Sequence, residues 1–370
     1  MDSREYETNQ IMEKIMSKKN SYLEIDGSMG EGGGSILRLA AGYSILFNLP
    51  IKIFNIRANR SKPGLRLQHL LGLRTLAKLT NSELSKCEIG TEIISFKPNI
   101  RNLKKNISIN IQTAASIGLL LQPVQIACLR YKNPSEISIQ LSGGGTIGKW
   151  APGLPYLNHV TYEIFKQYGY RIDFKIMKYG FYPKGGALTE FKIILPKKAI
   201  ESVQITELGD INLIEGKITC SKTLSNARVA ERIKSSAEKL ILRETKCNTN
   251  VSINYVKSLS TGVGLSLWAK SDTGAIISSG TIIGEKGVSS EKVGRKAANE
   301  ILEYIKHKIP VDNYLSDQLL PMMGYSKSPS QIKVLKVTSH AKTNLDLIKL
   351  FTQRDFRIES KQQYSIISID

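Results

Sequence analysis

The sequence predicts a mixed α/β or α+β protein built from repeated two-layer units. Short runs rich in Ile, Val and Phe alternate with stretches of helical periodicity along the chain. Glycine-rich turns recur at the ends of the strand-like runs. The 370 residues, 41% hydrophobic and 23% charged, suffice for a large core and more than one domain.

Strands are expected at Ile51–Ile56, Glu136–Ser142, Arg171–Ile176, Ala187–Leu195, Leu213–Cys220, Gly264–Lys270, Ala275–Ile283 and Lys333–Val337. Gly, Pro, Asn or Asp bounds most of them. Helices are expected at Ser35–Phe47, Leu65–Leu79, Ala114–Leu129, Tyr156–Tyr168, Ala227–Leu242, Ser290–Lys308 and Asn344–Thr352. In the helix starting at Ser290 the apolar stripe is Val293, Ala297, Ile301, Leu302 and Ile305. Ser289 or Ser290 serves as its cap, and Pro310 lies just beyond its end. From about Ile200 to Val256 the chain is richer in Glu, Lys, Asn and Thr and lacks glycine-rich loops, which fits a small inserted domain.

The formal net charge of +20 suits a polyanionic partner such as nucleic acid, although a generally basic surface accounts for it equally well. No apolar run reaches the roughly 18 residues of a membrane span. Residues 1–20 are polar and lack the apolar core of a signal peptide, so an N-terminal extension and a cytoplasmic location are the expectation. Cys87, Cys128, Cys220 and Cys247 form no CxxC pair, which argues against zinc and for buried, reduced thiols. A Cys220–Cys247 disulfide stays open.

Three loops carry the chemistry. The first, Asp26 to Arg38, holds Gly27, Gly30, Gly32, Gly33 and Gly34 directly before a helical stripe. Glycine permits close approach of ligand to backbone, and a helix start suits a phosphate. A tight turn explains the same glycines. Glu31 within the loop fits a divalent cation that bridges phosphates. The second loop, Arg57 to His69, gathers Arg57, Arg60, Lys62 and Arg66 between a strand and a helix. Its guanidinium forks match phosphate oxygens, or it is simply a solvated basic loop. The third, Leu141 to Thr146 followed by Ala151-Pro152, opens from a strand end through Gly143, Gly144 and Gly145, or is simply a turn. Gln122 is a polar side chain in an apolar helix and needs a partner, either a base edge or backbone.

Of four histidines, His307 reads as exposed, His159 as structural and His69 as a neighbour of the basic loop. His340 stands between the strand ending at Val337 and the helix expected from Asn344, where a nucleophile is well presented, although a loop histidine taken alone is more often a surface or hydrogen-bonded residue. A neutral imidazole nitrogen there can attack the α-phosphorus of a nucleoside triphosphate and form a phosphoramidate.

Taken together and in order, these segments resemble the RNA 3′-terminal phosphate cyclase family. The matching elements are Asp26-Gly27 with Gly30 to Gly34 and Leu37-Arg38; Ile56-Arg57 to Leu65 with Gln68-His69; Gly144-Gly145-Thr146 with Ala151-Pro152; Gly180 to Pro183 with Gly185-Gly186; Tyr314 to Gln318; and His340 with Thr343-Asn344. The resemblance spans about Tyr22 to Asp370. Ser35 stands where Gln is common, and Ala187 where a third Gly is common.

The resemblance implies three repeated units of two helices on a four-stranded sheet, similar to the C-terminal domain of translation initiation factor 3. It also implies a small inserted α/β domain, giving an extension at 1–20, a large domain at 21–186 and 258–370, and an insertion at 187–257. It implies ATP as co-substrate, Mg²⁺ or Mn²⁺, and RNA with a 3′-terminal phosphate as partner, with no membrane association. Oligomeric state is left open. Carried over by position, His340 is the nucleophile and Glu31 the metal ligand. Gln122, Pro152, Tyr314, Asp317 and Gln318 form the nucleotide pocket, and Arg38, Arg57, Arg60 and Gln68 contact phosphates or the RNA end. The implied reaction passes AMP from ATP to His340, then to the RNA 3′-phosphate, and is completed by attack of the adjacent 2′-hydroxyl. The rival readings are a non-catalytic cyclase-like ribosome-assembly factor, which would dispense with the nucleophile, and an enolpyruvyl transferase of related fold.

Overall fold

The computed structural model describes residues 22–30 and 32–370. The extension expected at 1–20 and the candidate metal ligand Glu31 lie outside the described residues.

The first sheet comprises β1 (Leu23–Asp26), β2 (Ile51–Phe54), β3 (Glu83–Leu84) and β4 (Ile94–Lys97), in the order β1-β2-β4-β3. Helix α1 (Gly34–Phe47) joins β1 to β2, and α2 (Leu67–Thr80) joins β2 to β3. The second sheet repeats the pattern. It holds β5 (Asn106–Ser116), β6 (Glu136–Gly145), β7 (Arg171–Lys178) and β8 (Leu188–Ile194), ordered β5-β6-β8-β7. Its crossovers are α3 (Ile117–Cys128) and α4, which runs through Leu154–Tyr156, a π-turn at Leu157–Thr161, and Tyr162–Gln167.

After β9 (Gln204–Ile205) comes a different sheet: β10 (Leu213–Ser221), β11 (Asn248–Val256), β12 (Val263–Lys270) and β13 (Ile276–Ser278). Its order is β11-β10-β12-β13, and β14 (Ile282–Ile283) also pairs with β12. Two helices belong to this part, α5 (Val229–Glu244) and α6 (Ser290–Lys306). The chain then completes a sheet with β9: α7 (Asn313–Tyr325), β15 (Ser330–Val334), α8 (Ser339–Thr352), β16 (Phe356–Ser360) and β17 (Ser365–Ile369). That sheet reads β9-β15-β17-β16, the same order as the first two. In all three the first two strands are parallel and the remaining pairs antiparallel.

Strand alternation explains which face of each sheet is covered. Ile51 and Ile53 of β2 are buried while Lys52 between them is exposed, and Ile107, Ile109 and Ile111 of β5 alternate with exposed polar residues. The helices fill the interior. In α1 the residues from Ile36 to Leu46 are buried apart from Arg38, as expected of a helix apolar on nearly every side. It packs against α2, α3 and α8, so helices of three sheets meet at one place. Gly42 allows the close approach of α3, because a β-carbon there would lie 2.9 Å from that of Ile126. Among the described residues no helix is long and apolar enough to cross a membrane.

Several expectations are corrected. The bounds 187–257 given to the insertion do not follow the sheets. β8, expected inside it, pairs with β6 and β7, whereas β12 to β14, expected outside it, share a sheet with β10 and β11. Hydrogen bonding joins strands across long stretches of sequence, which composition does not register. Residues 114–116, expected in a helix, extend β5. Helix α7 was not expected, because Pro321 and Gly324 interrupt its pattern. The span expected as one strand at Ala275–Ile283 is two, β13 and β14, with Gly280 at φ +67° between them.

All four cysteines are free and buried. In the parallel pair β10–β11, Cys220 lies opposite Tyr255, whereas Cys247 precedes Asn248, the partner of Leu213. The two thiols therefore sit near opposite ends of the ladder, on the order of 20 Å apart at about 3.3 Å per strand residue. That excludes the disulfide left open by the sequence.

Candidate functional site

Helices α1, α3, α6, α7 and α8 surround a cavity of about 550 Å³, within the ordinary range of small-molecule sites. Each helix contributes one stripe at helical spacing. Ser35 and Arg38 come from α1, Leu119 and Gln122 from α3, and His340 and Asn344 from α8. Helix α7 contributes Tyr314, Asp317 and Gln318, at i, i+3 and i+4. Pro152 closes one side, and residues 280–283 of the inserted sheet close another.

His340 is exposed in the first turn of α8, which begins at Ser339 and not near Asn344 as expected. Thr338 fixes that start. Its hydroxyl oxygen accepts from the Ala341 amide at 2.9 Å and its hydroxyl donates to the Asp317 carboxylate at 2.8 Å. One turn on, buried Asn344 donates to the Asp317 carbonyl at 3.2 Å and accepts from the Tyr43 hydroxyl of α1. Three helices thus set the orientation of the His340 turn. The loop before α1 closes against it: Gly30, at φ +57°, lies so near that a β-carbon there would sit 2.2 Å from the Thr343 hydroxyl.

The start of α1 has no side-chain cap, its preceding residue being Gly33. Its positive end and that of α8 face the same cavity, an arrangement suited to phosphate. Arg38 reaches in from α1, with Nε donating to the Gln122 amide oxygen at 3.1 Å. Gln122 therefore meets a guanidinium, a partner its sequence context did not suggest. Burial pushes the Arg38 pKa down to about 10, which leaves it cationic at neutral pH. His69 lies under Gly34 and accepts from the Arg66 amide through Nδ1 at 3.2 Å. Burial, then Arg38, Arg57 and Arg66, push its pKa down to about 3, so it stays neutral.

The inner wall is aromatic. Tyr156 is fully buried, and its ring meets that of Tyr314 edge-on at 5.8 Å. The absence of a side chain at Gly280 makes room for Tyr314, whose Cε2 would lie 2.4 Å from a β-carbon there. Behind both rings, buried Asp312 caps α7. One carboxylate oxygen accepts from the Tyr314 and Leu315 amides at 2.9 Å and from the Tyr156 hydroxyl at 3.0 Å.

Burial raises the Asp312 pKa to about 7, from the 3.8 of a solvated carboxyl. The folded state therefore holds an extra proton between these values, and the stability gained from neutral Asp312 is lost as pH rises from 3.8 to about 7. His69 acts oppositely: its depressed pKa adds stability as pH rises from about 3 to 6.5. We expect Asp312→Asn to remove only the first slope. Its urea midpoint relative to the native chain should climb between about pH 4 and 7 and level off above; a difference independent of pH would contradict this assignment.

Of the expected site residues, the cavity gathers His340, Gln122, Pro152, Tyr314, Asp317, Gln318 and Arg38. Arg57, Arg60 and Gln68 do not line it. The Arg57 guanidinium donates to the carbonyls of Lys62 and Gly64 and so braces its own loop. Arg60 reaches Gly33 of the glycine loop, lying 3.3 Å from where a β-carbon would be. Gln68 is half-buried in the first turn of α2. Among the described residues no group of three or more His, Cys, Asp or Glu is placed to hold a metal.

Sequence reasoning missed Tyr156, Asp312, Lys149, Lys292 and Lys296. The last two sit at i and i+4 on α6, a spacing visible in the sequence, but nothing there shows that α6 folds back onto the cavity. Lys149 is bound to Glu285 at 3.0 Å. With Arg38, Lys292 and Lys296 against Asp317, the lining carries an excess of positive charge.

A model of the RNA 3′-terminal phosphate cyclase family matches residues 29–358. The RNA 3′-terminal phosphate cyclase of Methanopyrus kandleri is 34% identical over 347 residues, covering 92% of this chain and 96% of its own. That of Pyrococcus abyssi is 37% identical over 339 residues, with the same coverage. That of Pyrobaculum aerophilum is 34% identical over 347 residues, 93% of this chain and 97% of its own.

Proposed function

The chain belongs to the RNA 3′-terminal phosphate cyclase family, and on that premise we propose that it closes an RNA 3′-terminal phosphate into a 2′,3′-cyclic phosphodiester at the expense of ATP. The observation that carries this reading is the placement of His340. It opens from the first turn of α8 into the cavity that also receives Arg38 and the aromatic wall.

Three transfers account for the reaction. A neutral His340 ring nitrogen attacks the α-phosphorus of ATP; the phosphoramidate bond forms and pyrophosphate leaves. An oxygen of the RNA 3′-phosphate then attacks that phosphorus, giving an RNA-adenylate anhydride and releasing the imidazole. The neighbouring 2′-hydroxyl attacks the 3′-phosphorus, loses its proton and expels AMP. Tethering of the hydroxyl beside an activated phosphate leaves the protein chiefly positioning and charge neutralisation to supply.

Tyr314 and Pro152 offer apolar surface to an adenine, and the amides of Gln122 and Gln318 offer hydrogen bonds. Arg38 and the starts of α1 and α8 offer charge to the triphosphate. A divalent cation bound with the triphosphate would neutralise phosphate charge, and Glu31 in the glycine loop is the residue suited to it. The repeated strand order of three sheets also supports the likeness to the C-terminal domain of translation initiation factor 3. An assembly factor without catalysis has no use for a histidine held this way.

The test uses an RNA with a labelled 5′ end and a 3′-phosphate, incubated with ATP and Mg²⁺. The end should become resistant to phosphatase as AMP and pyrophosphate appear. An end that stays fully sensitive despite bound ATP would overturn the reading.

A further inference from the structure

Trp150 is not part of the core. The residue is 89% exposed, and its backbone is in the left-handed region at φ +58°. A turn of that geometry favours Gly or Asn, and a bulky residue there is strained. An exposed indole adds unfavourable hydration to the strain. Such a combination at the edge of a site points to a ligand. The ring carries the Lys149 ammonium 5.0 Å from its centroid, and Lys149 is held in turn by Glu285 of the inserted part. Two residues on, Pro152 enters the cavity wall. One short loop thus presents an apolar wall inside and an aromatic platform at the rim.

We propose that the Trp150 indole is the platform on which the 3′-terminal base of the RNA stacks, an inference that rests on the cyclase reading above. Two substrates must share one cavity. The nucleotide has its own aromatic surface deeper in, at Tyr314, which is backed by buried Tyr156. The RNA end must arrive from outside, past the rim, with its terminal phosphate reaching inward to His340. A base beside that phosphate lies at the height of an exposed ring. Stacking suits this role because every base has a flat face, so the end is held whatever its sequence. Lys149 beside the ring adds a cation for the adjoining phosphodiester.

The test compares 3′-phosphorylated RNAs that carry or lack the terminal base. Native enzyme should show a KM about tenfold lower for the base-bearing RNA, in line with the loss of one base–aromatic stack. In Trp150→Gly, which suits the left-handed turn and so preserves the fold, both RNAs should show the higher KM, with kcat much less affected. Trp150→Phe should recover most of the difference. The only other tryptophan, Trp268, is buried and stacked on His159 at 4.0 Å, so quenching of fluorescence by 3′-phosphorylated RNA reports on Trp150 even without turnover. Absence of quenching, an unchanged preference for the base in Trp150→Gly, or a tenfold rise in the KM for ATP instead of RNA would overturn the proposal. A native enzyme whose fluorescence is quenched by RNA but which cyclises nothing would sink the cyclase reading and leave the platform standing.

Discussion

Replacing His340 with alanine should abolish both self-adenylylation and RNA cyclisation, lowering kcat by roughly 10⁴-fold or more, as removal of a covalent nucleophile does elsewhere. The fold should be unaffected. The side chain is exposed in the first turn of α8, and alanine is the best helix former. The cap that starts the helix belongs to Thr338, and the buried anchor one turn on is Asn344. Neither is disturbed. Rate loss with an unchanged Tm is therefore the expected signature. A variant retaining a tenth of native activity would show that the imidazole only assists.

Gly34→Ala should be nearly as damaging for a different reason. A β-carbon on Gly34 would lie 2.0 Å from Nε2 of His69 and under 3 Å from two further ring atoms. The ring is buried and tied through Nδ1 to the Arg66 amide, so it cannot swing away. The start of α1 must move instead, by about 1 Å, and with it the glycine loop and Arg38. A displacement of that size at a phosphate site costs about 100-fold in rate, and overpacking costs about 1–3 kcal/mol in stability. Gly33→Ala provides the comparison. Its nearest neighbour is an Arg60 guanidinium nitrogen at 3.3 Å, a contact tight by only a few tenths of an ångström, and it should lose less than about fivefold. Equal losses in the two variants would mean that the contact with His69 is not the cause.

The sequence made the helical stripes legible because apolar spacing is a local property. Val293, Ala297 and Ile301 are buried on α6 as expected, and the glycine loop does lead into α1. The cyclase motifs located most of the cavity lining, His340 and the Tyr314 to Gln318 stripe included. Other features depend on distant partners. The start of α8 moved forward to Ser339 because Thr338 is anchored by Asp317, some twenty residues earlier on another helix. The basic loop around Arg57 reads as a phosphate site, and spacing alone does not show that Nη1 of Arg57 also donates to the Lys62 and Gly64 carbonyls. Lys292 and Lys296 carry no signal of a site in the sequence, because only the fold brings α6 to the border of the cavity. The limits of the insertion were invisible for the same reason: β9 has two residues, and its partner β15 lies over a hundred residues on.

The most direct test of the central claim is to locate the adenylate. The protein should be incubated with ATP and no RNA, digested, and its AMP-bearing peptide sequenced by mass spectrometry. The arrangement of α8 predicts AMP on His340 alone, discharged when RNA with a 3′-phosphate is added. Lys149, Lys292 and Lys296 border the same cavity and are the competing nucleophiles for the α-phosphorus. AMP found on one of these lysines, or on His340 but not transferable to RNA, would contradict the account.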